Sequence, residues 1–302
     1  MTSPQNILIT GSNSGFGRLT SESLARRGHR VFASMRDIAT RNAQAAEEMR
    51  GFTTEGGGSI HPIEIDVTSE ESVARGVAEA LELSGGRIDV AINNAGVGTW
   101  GLIESFTPAQ LAKIFDLNVC GPQRINRAVL PGMRARGSGL LVHVTSVAGR
   151  LVYPSMGPYG ATKHALEALA EAYRYELSAS GVDVAIVEPG AFPTRFLSGM
   201  LAPEDGTRAP GYGPLAQLPE QMAAGFAGLF TGEGAPNPQQ VADAIVVLID
   251  TPAGTRPLRT VVDAYPEGVR AINQLCEQVE AGALEAIGLG GLLRPAARSQ
   301  AS

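Results

Sequence analysis

An α/β fold with a doubly wound, mostly apolar parallel sheet is what this sequence predicts, on three observations. Short Val/Ile/Leu runs alternate with longer helical patterns over the first two-thirds of the 302 residues, the signature of repeated strand-helix-strand units. Several runs are apolar on consecutive positions, as strands covered by helices on both faces must be. A glycine-rich turn follows the first run directly and leads into a helical pattern.

The predicted strands span residues 6–10, 30–35, 59–65, 90–93, 140–145, 182–188 and 258–262, which makes the sheet seven-stranded. Helix starts are marked by side chains that accept from the orphan N–H groups of a first turn: Thr68 with Glu71, Thr107 before Pro108, and Asn237 before Pro238. A long helix begins near Tyr159, and Gly181 closes it ahead of the sixth strand. Residues 190–236 interrupt the alternation with repeated prolines, and a stretch of that length in a compact domain reads as a lid over a binding site. The expected organisation is one catalytic domain over 1–264 that includes this lid, with residues 265–302 as a C-terminal helical extension and tail of the same domain. Residues 294–302 are expected to fray.

Composition narrows the function. An apolar content of 44% supplies a buried core, and an aromatic content of 5% fits an Ala/Val/Gly-rich α/β protein better than a β-sandwich. The net charge is −6 and the basic residues, nearly all Arg, are spread along the chain, so nucleic acid is not expected as a partner. No apolar run approaches the ~20 residues that cross a bilayer, and Met1 leads through polar residues into Ile7-Leu8-Ile9 without a signal-peptide pattern. A cytoplasmic protein with no membrane partner is expected. Cys120 and Cys276 lack metal-ligand spacing and read as small apolar residues, and the four histidines are scattered, so no metal is expected.

The turn at 10–17 reads TGSNSGFG. Gly11, Gly15 and Gly17 let the backbone approach a ligand closely; with Asn13, Ser14 and Phe16 they set N–H groups and the positive end of a helix dipole where a pyrophosphate belongs. At the end of the second strand an acidic side chain would bond a ribose 2′-hydroxyl and repel a 2′-phosphate. Met35 stands there instead, followed by Arg36, whose guanidinium forks onto phosphate. NADP is therefore the expected cofactor, and Asp37 keeps NAD as the alternative. Asp66 and Val67, and then Asn94, Ala95 and Gly96, follow further strands at the same sheet edge. The first pair is expected to frame an adenine and the second group to hug the cofactor.

Tyr159 and Lys163 stand at i and i+4 on one helix face. A phenol with its ordinary pKa near ~10 is a poor acid-base catalyst at neutral pH, and a neighbouring cation stabilises the phenolate. Tyr159 would deliver the proton that a carbonyl needs as it is reduced. Ser146 emerges from the fifth strand at the same edge, on the opposite face from Thr145, placed to polarise the carbonyl oxygen. Asn118, an amide among apolar neighbours, is a candidate for a proton relay or for a structural hydrogen bond.

Together, TGSNSGFG at 10, DV at 66, NNAG at 93, Asn118, Ser146, YGATK at 159 and PGAFPT at 189 resemble the short-chain dehydrogenase/reductase family, over residues 5 to about 263. The resemblance implies a Rossmann-like fold and a catalytic tetrad of Asn118, Ser146, Tyr159 and Lys163, every position of which is filled. It implies that Tyr159 and Lys163 also meet the cofactor at the nicotinamide ribose, that Asn118 holds a relay water, and that Pro189, Gly190 and Thr194 lie along the nicotinamide. Pairing into a homo-oligomer through the long central helices is implied as well. The chain departs from the family's compact members by ~50 extra residues after Pro189 and at the C-terminus.

The expected function is NADP-dependent hydride transfer to or from the carbonyl or secondary alcohol carbon of a hydrophobic small molecule. Its substrate contacts are expected from residues 97–102 and 147–156, and from Phe192, Phe196, Leu197, Met200, Leu201, Tyr212, Met222, Phe226 and Phe230 of the lid. Two rivals stand beside it: an NAD-dependent dehydrogenase working oxidatively, and a non-catalytic dinucleotide sensor.

Overall fold

The computed structural model describes residues 3–52, 54–231 and 234–293. The chain runs β1 (Asn6–Thr10), α1 (Gly15–Arg26), β2 (Arg30–Met35), α2 (Ala43–Arg50), β3 (Ser59–Glu64), α3 (Glu70–Leu83) and β4 (Val90–Asn93). It continues through α4 (Pro108–Phe115), a π-helical turn (Asp116–Cys120), α5 (Gly121–Arg136), β5 (Gly139–Val144), α6 (Gly157–Glu176) and β6 (Val182–Pro189). After the lid helices α7 (Arg195–Ser198) and α8 (Leu218–Leu229) come α9 (Gln239–Asp250), β7 (Arg259–Val262) and α10 (Glu267–Ala286).

All seven strands pair in parallel in the order β3-β2-β1-β4-β5-β6-β7. Winding reverses between β1 and β4, so the loops that leave these two strands diverge and open a crevice at their carboxyl ends. Strand side chains alternate between two cores. Ile7, Ile9, Val142, Val144, Ala185 and Val187 pack beneath α1 and α9, whereas Leu8, Leu141, Val184 and Ile186 pack beneath α3, α5 and α6. Burial on both faces is why the strands read as continuous apolar runs.

Several boundaries differ from the sequence reading, each for a local reason. Ser69, not Thr68, caps α3, because its hydroxyl accepts from the Ser72 N–H while the Thr68 N–H and hydroxyl are taken by Asp66 Oδ1. Thr107 does cap α4, in a box with Gln110. Asn237 accepts from the Gln239 N–H one position early, with Pro238 at the cap. Helix α6 ends at Glu176, and Gly181 instead turns the chain into β6 at φ +71°, against the Gly137 carbonyl, where a Cβ has no room. The strands predicted at 59–65, 182–188 and 258–262 move by one residue at an end, and that predicted at 140–145 slides one residue earlier to Gly139–Val144. The stretch read as a lid holds α7, α8 and 3₁₀ turns over 209–217. Helix α10 occupies the predicted extension, and the tail at 294–302 lies outside the described residues. Cys120 is exposed and Cys276 half-buried, so neither is a core filler.

Candidate active site

A cleft of about 740 Å³ runs along the carboxyl ends of the central strands. At one end lies the glycine turn. Gly11 takes φ +69°, and a Cβ there would come within 2.9 Å of Ala95 Cα, so only glycine lets the two loops meet. Ser14 stands at the N-cap of α1 without a side-chain capping bond, which leaves its hydroxyl and the first-turn N–H groups facing the cleft for an anion. Gly11, Asn13, Ser14, Gly15 and Phe16 line it, as do Arg36, Asp66, Val67, Asn94, Ala95, Gly96, Pro189, Gly190 and Thr194.

Two predicted residues brace the glycine turn. Gly17 packs on the Gly11 carbonyl, where any Cβ would collide, so its task is to close the turn. Asn94 reaches the cleft but spends its amide on the Thr10 and Gly11 carbonyls, at 2.9 and 3.1 Å, pinning the turn from below. Arg41 and Asn42 also line the cleft, beyond what the sequence reading found. Asn42 donates to the Arg36 carbonyl at 2.6 Å and accepts from Asn13 at 3.1 Å, so the loop after β2 folds back beside the glycine turn. Nothing in the local sequence marks that fold-back.

Farther along, Ser146, Tyr159 and Lys163 meet at the wall formed by β5 and α6. Ser146 accepts from the Ala148 N–H at 3.1 Å and directs its own hydroxyl to the Pro189 carbonyl at 3.3 Å. Tyr159 is 6% exposed, its ring 5.5 Å from that of Phe196. Burial pushes the Tyr159 phenol up to about 12, against the opposing hydrogen bond with Ser146. Burial also lowers the Lys163 ammonium to about 8, with Glu167 opposing. Lys163 Nζ donates to the Val144 carbonyl at 3.0 Å and lies 5.6 Å from the Tyr159 ring centroid.

Asn118 lies behind this wall, in the π-helical turn that joins α4 to α5. The turn shifts the helical register by one residue, with the Gly121 N–H bonded to the Asp116 carbonyl, and aims Asn118 inward. Its amide brackets Val97, accepting from N–H and donating to C=O at 2.9 Å each, and donates to Thr162 at 3.0 Å. Both N–H donors of the Asn118 amide and one acceptor position of its oxygen therefore hold the 96–97 loop against α6.

The inner half of the cleft is apolar. Trp100, Tyr153, Met156, Phe196, Met200, Leu201, Phe226 and Leu229 line it. Of the lid residues expected there, Phe192 reaches the cleft from the core, edge-on to Phe16, whereas Tyr212, Met222 and Phe230 do not line it. Tyr212 is drawn to the surface by its bond to Glu104.

The family description "short chain dehydrogenase" matches residues 5–204. This chain is a short-chain dehydrogenase/reductase. As such it is an oxidoreductase of CH–OH groups that uses a nicotinamide cofactor. It is 34% identical to human retinol dehydrogenase 8 over 84% of this chain and 79% of the other. With human 17-beta-hydroxysteroid dehydrogenase type 1 it shares 31%, over 82% of this chain and 75% of the other. A solved short-chain dehydrogenase from Streptomyces avermitilis is similar in structure, with a TM-score of 0.70 and 33% identity over 96% of this chain and 99% of the other. The cleft fits the dinucleotide these enzymes use, because the glycine cradle admits backbone where a Cβ would fill the space. Among the described residues no group of three His, Cys, Asp or Glu is gathered as for a metal ion, and no helix is long and apolar enough to cross a membrane.

Proposed function

We propose that this short-chain dehydrogenase/reductase transfers a hydride between NADP(H) and the carbonyl or secondary alcohol carbon of an apolar small molecule, with reduction the favoured direction. One observation carries the reading: a single cleft has two guanidiniums at one end and a buried phenol beside a serine and a lysine at the other. Arg36 and Arg41 line the cleft and would flank the adenosine, and Met35 stands where an acidic residue would select NAD. The nicotinamide would supply or accept the hydride.

The chain's own groups handle the proton. Tyr159 stays protonated at neutral pH, so its O–H donates to the oxygen of a carbonyl as negative charge develops there. Ser146 offers a second hydroxyl to the same oxygen. Lys163 places positive charge beside the phenolate that remains. Asn118 and Thr162 fix the loop and helix so that Tyr159 and the 96–97 backbone keep their spacing. The apolar inner cleft excludes water and selects a hydrophobic substrate, in keeping with relatives named for retinol and for a hydroxysteroid. A cytoplasmic location and self-association belong to the same proposal, the latter tested by light scattering.

A panel of apolar ketones and alcohols assayed with NADPH and NADH side by side tests the reaction. The double variant Arg36→Ala/Arg41→Ala tests the cofactor. Loss of two phosphate contacts is expected to raise KM for NADPH by about 10-fold to 100-fold, while KM for NADH changes by less than about threefold. Equal effects on both cofactors would remove the guanidiniums from 2′-phosphate recognition.

A further inference from the structure

The edge of the sheet beneath α6 carries more charge than this chemistry uses. Tyr159, Lys163, Glu167 and Glu171 recur every four residues and form one row on the buried face of α6. Lys163 is 4% exposed and Glu167 2%. Across from them, Arg259 of β7 pairs in register with Ile186 of β6, so it projects to the same side as Ile186 and Glu188. Its guanidinium lies 3.0 Å from Glu167 Oε2, 2.8 Å from Glu171 Oε2 and 3.8 Å from Glu188 Oε1. Helix α10 closes the cluster from outside, with Asn273 donating to Glu188 Oε2 at 2.6 Å and Glu277 3.5 Å from Arg259.

One guanidinium therefore faces three buried or nearly buried carboxyl groups; burial raises the pKa of Glu167 and of Glu188, and Arg259 and Arg150 oppose that rise and favour the charged forms. Among the described residues Glu167 Oε1 has no hydrogen-bond partner. The other groups around Lys163 do not supply its negative counter-charge. Tyr159 on α6 and His143 on β5 are neutral at pH 7, held so by burial. Arg150, whose Nε and Nη2 are buried without partners, and Arg259 are cations and cannot supply it. Glu171 and Glu280 sit farther out, bridged by Tyr175. Gly149 lets the 147–149 turn pack directly on this face of α6, since a Cβ there would come within 3.0 Å of Glu167 Cγ and 3.2 Å of the Lys163 carbonyl oxygen.

We propose that Glu167 is a positioning residue that keeps Lys163 cationic, with Arg259 fixing the carboxylate and α10 sealing the cluster. Desolvation opposes charge at Lys163, and Glu167, four residues on, is the group that offsets it. Removing this carboxylate leaves the burial of Lys163 unopposed. The inference rests on the proposed role of Lys163 only where it connects that charge to turnover.

The chain contains two lysines, Lys113 and Lys163, so ¹³Cε-lysine labelling gives two NMR signals, of which the exposed Lys113 is the internal control. In the protein without cofactor or substrate, Glu167→Gln is expected to lower the Lys163 midpoint from about 8 by about one pH unit or more, and to leave Lys113 unmoved. Glu171→Gln, nearer solvent, lets Arg259 turn fully onto Glu167 and is expected to lower the midpoint by a smaller step. If Glu167→Gln fails to fold, Glu171→Gln decides alone. A Lys163 midpoint unchanged in the folded variants overturns the coupling. A midpoint that moves while the pH profile of reduction stays in place upholds the coupling and removes Lys163 charge from turnover.

Discussion

Tyr159 enters the reaction as a neutral acid, because burial raises its pKa to about 12 and the ammonium next to it is itself lowered to about 8. Tyr159→Phe keeps the ring and its packing on Phe196 but deletes the donor. Its kcat is expected to fall by about 10²–10⁴, with NADPH affinity by fluorescence titration within a few-fold of the parent. Full activity in this variant would refute the assignment. The reduction rate should hold below pH 8 and fall above it, since Lys163 is cationic below its pKa and loses the charge that steadies the phenolate as pH rises through it. At this scale the sequence was informative wherever function is local: the Tyr159-Lys163 spacing and the glycine turn are short-range patterns. Arg41, Asn42 and Arg259 were hidden because fold-back and strand register bring them in. Glu167 and Glu171 continue the four-residue row from Tyr159, a signal that was present in the sequence and went unused.

Among the elements, α4 ties the catalytic wall to the lid. Thr107 accepts from the Gln110 N–H at 3.1 Å and Gln110 Oε1 accepts from the Thr107 N–H at 3.2 Å, a box that starts the helix. The same Gln110 side chain accepts from the Glu204 N–H at 3.0 Å and donates to the Ala202 carbonyl at 3.1 Å. Gln110→Ala therefore costs one cap bond and two lid bonds. We expect hydrogen exchange over 201–205 to speed up and substrate KM to rise about threefold to tenfold with kcat nearly kept, since Ser146, Tyr159 and Lys163 are untouched. Unchanged exchange in this segment would show that the lid is held elsewhere, for instance by Trp100, whose indole donates to the Pro219 carbonyl at 2.8 Å. The helix start was legible from Thr107 and Pro108 alone. Its second duty was not, because Ala202 and Glu204 lie more than 90 residues away along the chain.

The whole molecule buries ionisable groups on the α6 side of the sheet, and its stability should record them. His143 is 1% exposed with neither ring nitrogen bonded among the described residues, and burial, then Lys163, lowers its pKa to about 4. An unfolded chain takes up that proton near ~6.5, so between pH 6.5 and 4 the unfolded state binds more protons and stability falls as pH falls. Glu188 acts in the opposite sense. Burial raises it to about 7, so its contribution is complete below the unfolded value near ~4.3 and is lost as pH rises through 7. The two slopes offset one another over the same window, and wild-type stability should change little from this pair. His143→Leu removes one slope and leaves the other. A side chain of similar bulk without unpaired polar atoms fits the apolar layer around Leu141 and Ile186. Urea unfolding at pH 7 and pH 5 should then show the variant gaining on wild type by about 2 kcal/mol upon acidification, the linkage expected of a group buried neutral. A difference between the two proteins that is the same at both pH values would mean that His143 takes up its proton in the folded state, and that the space beneath α6 accommodates a fourth cation beside Lys163, Arg150 and Arg259.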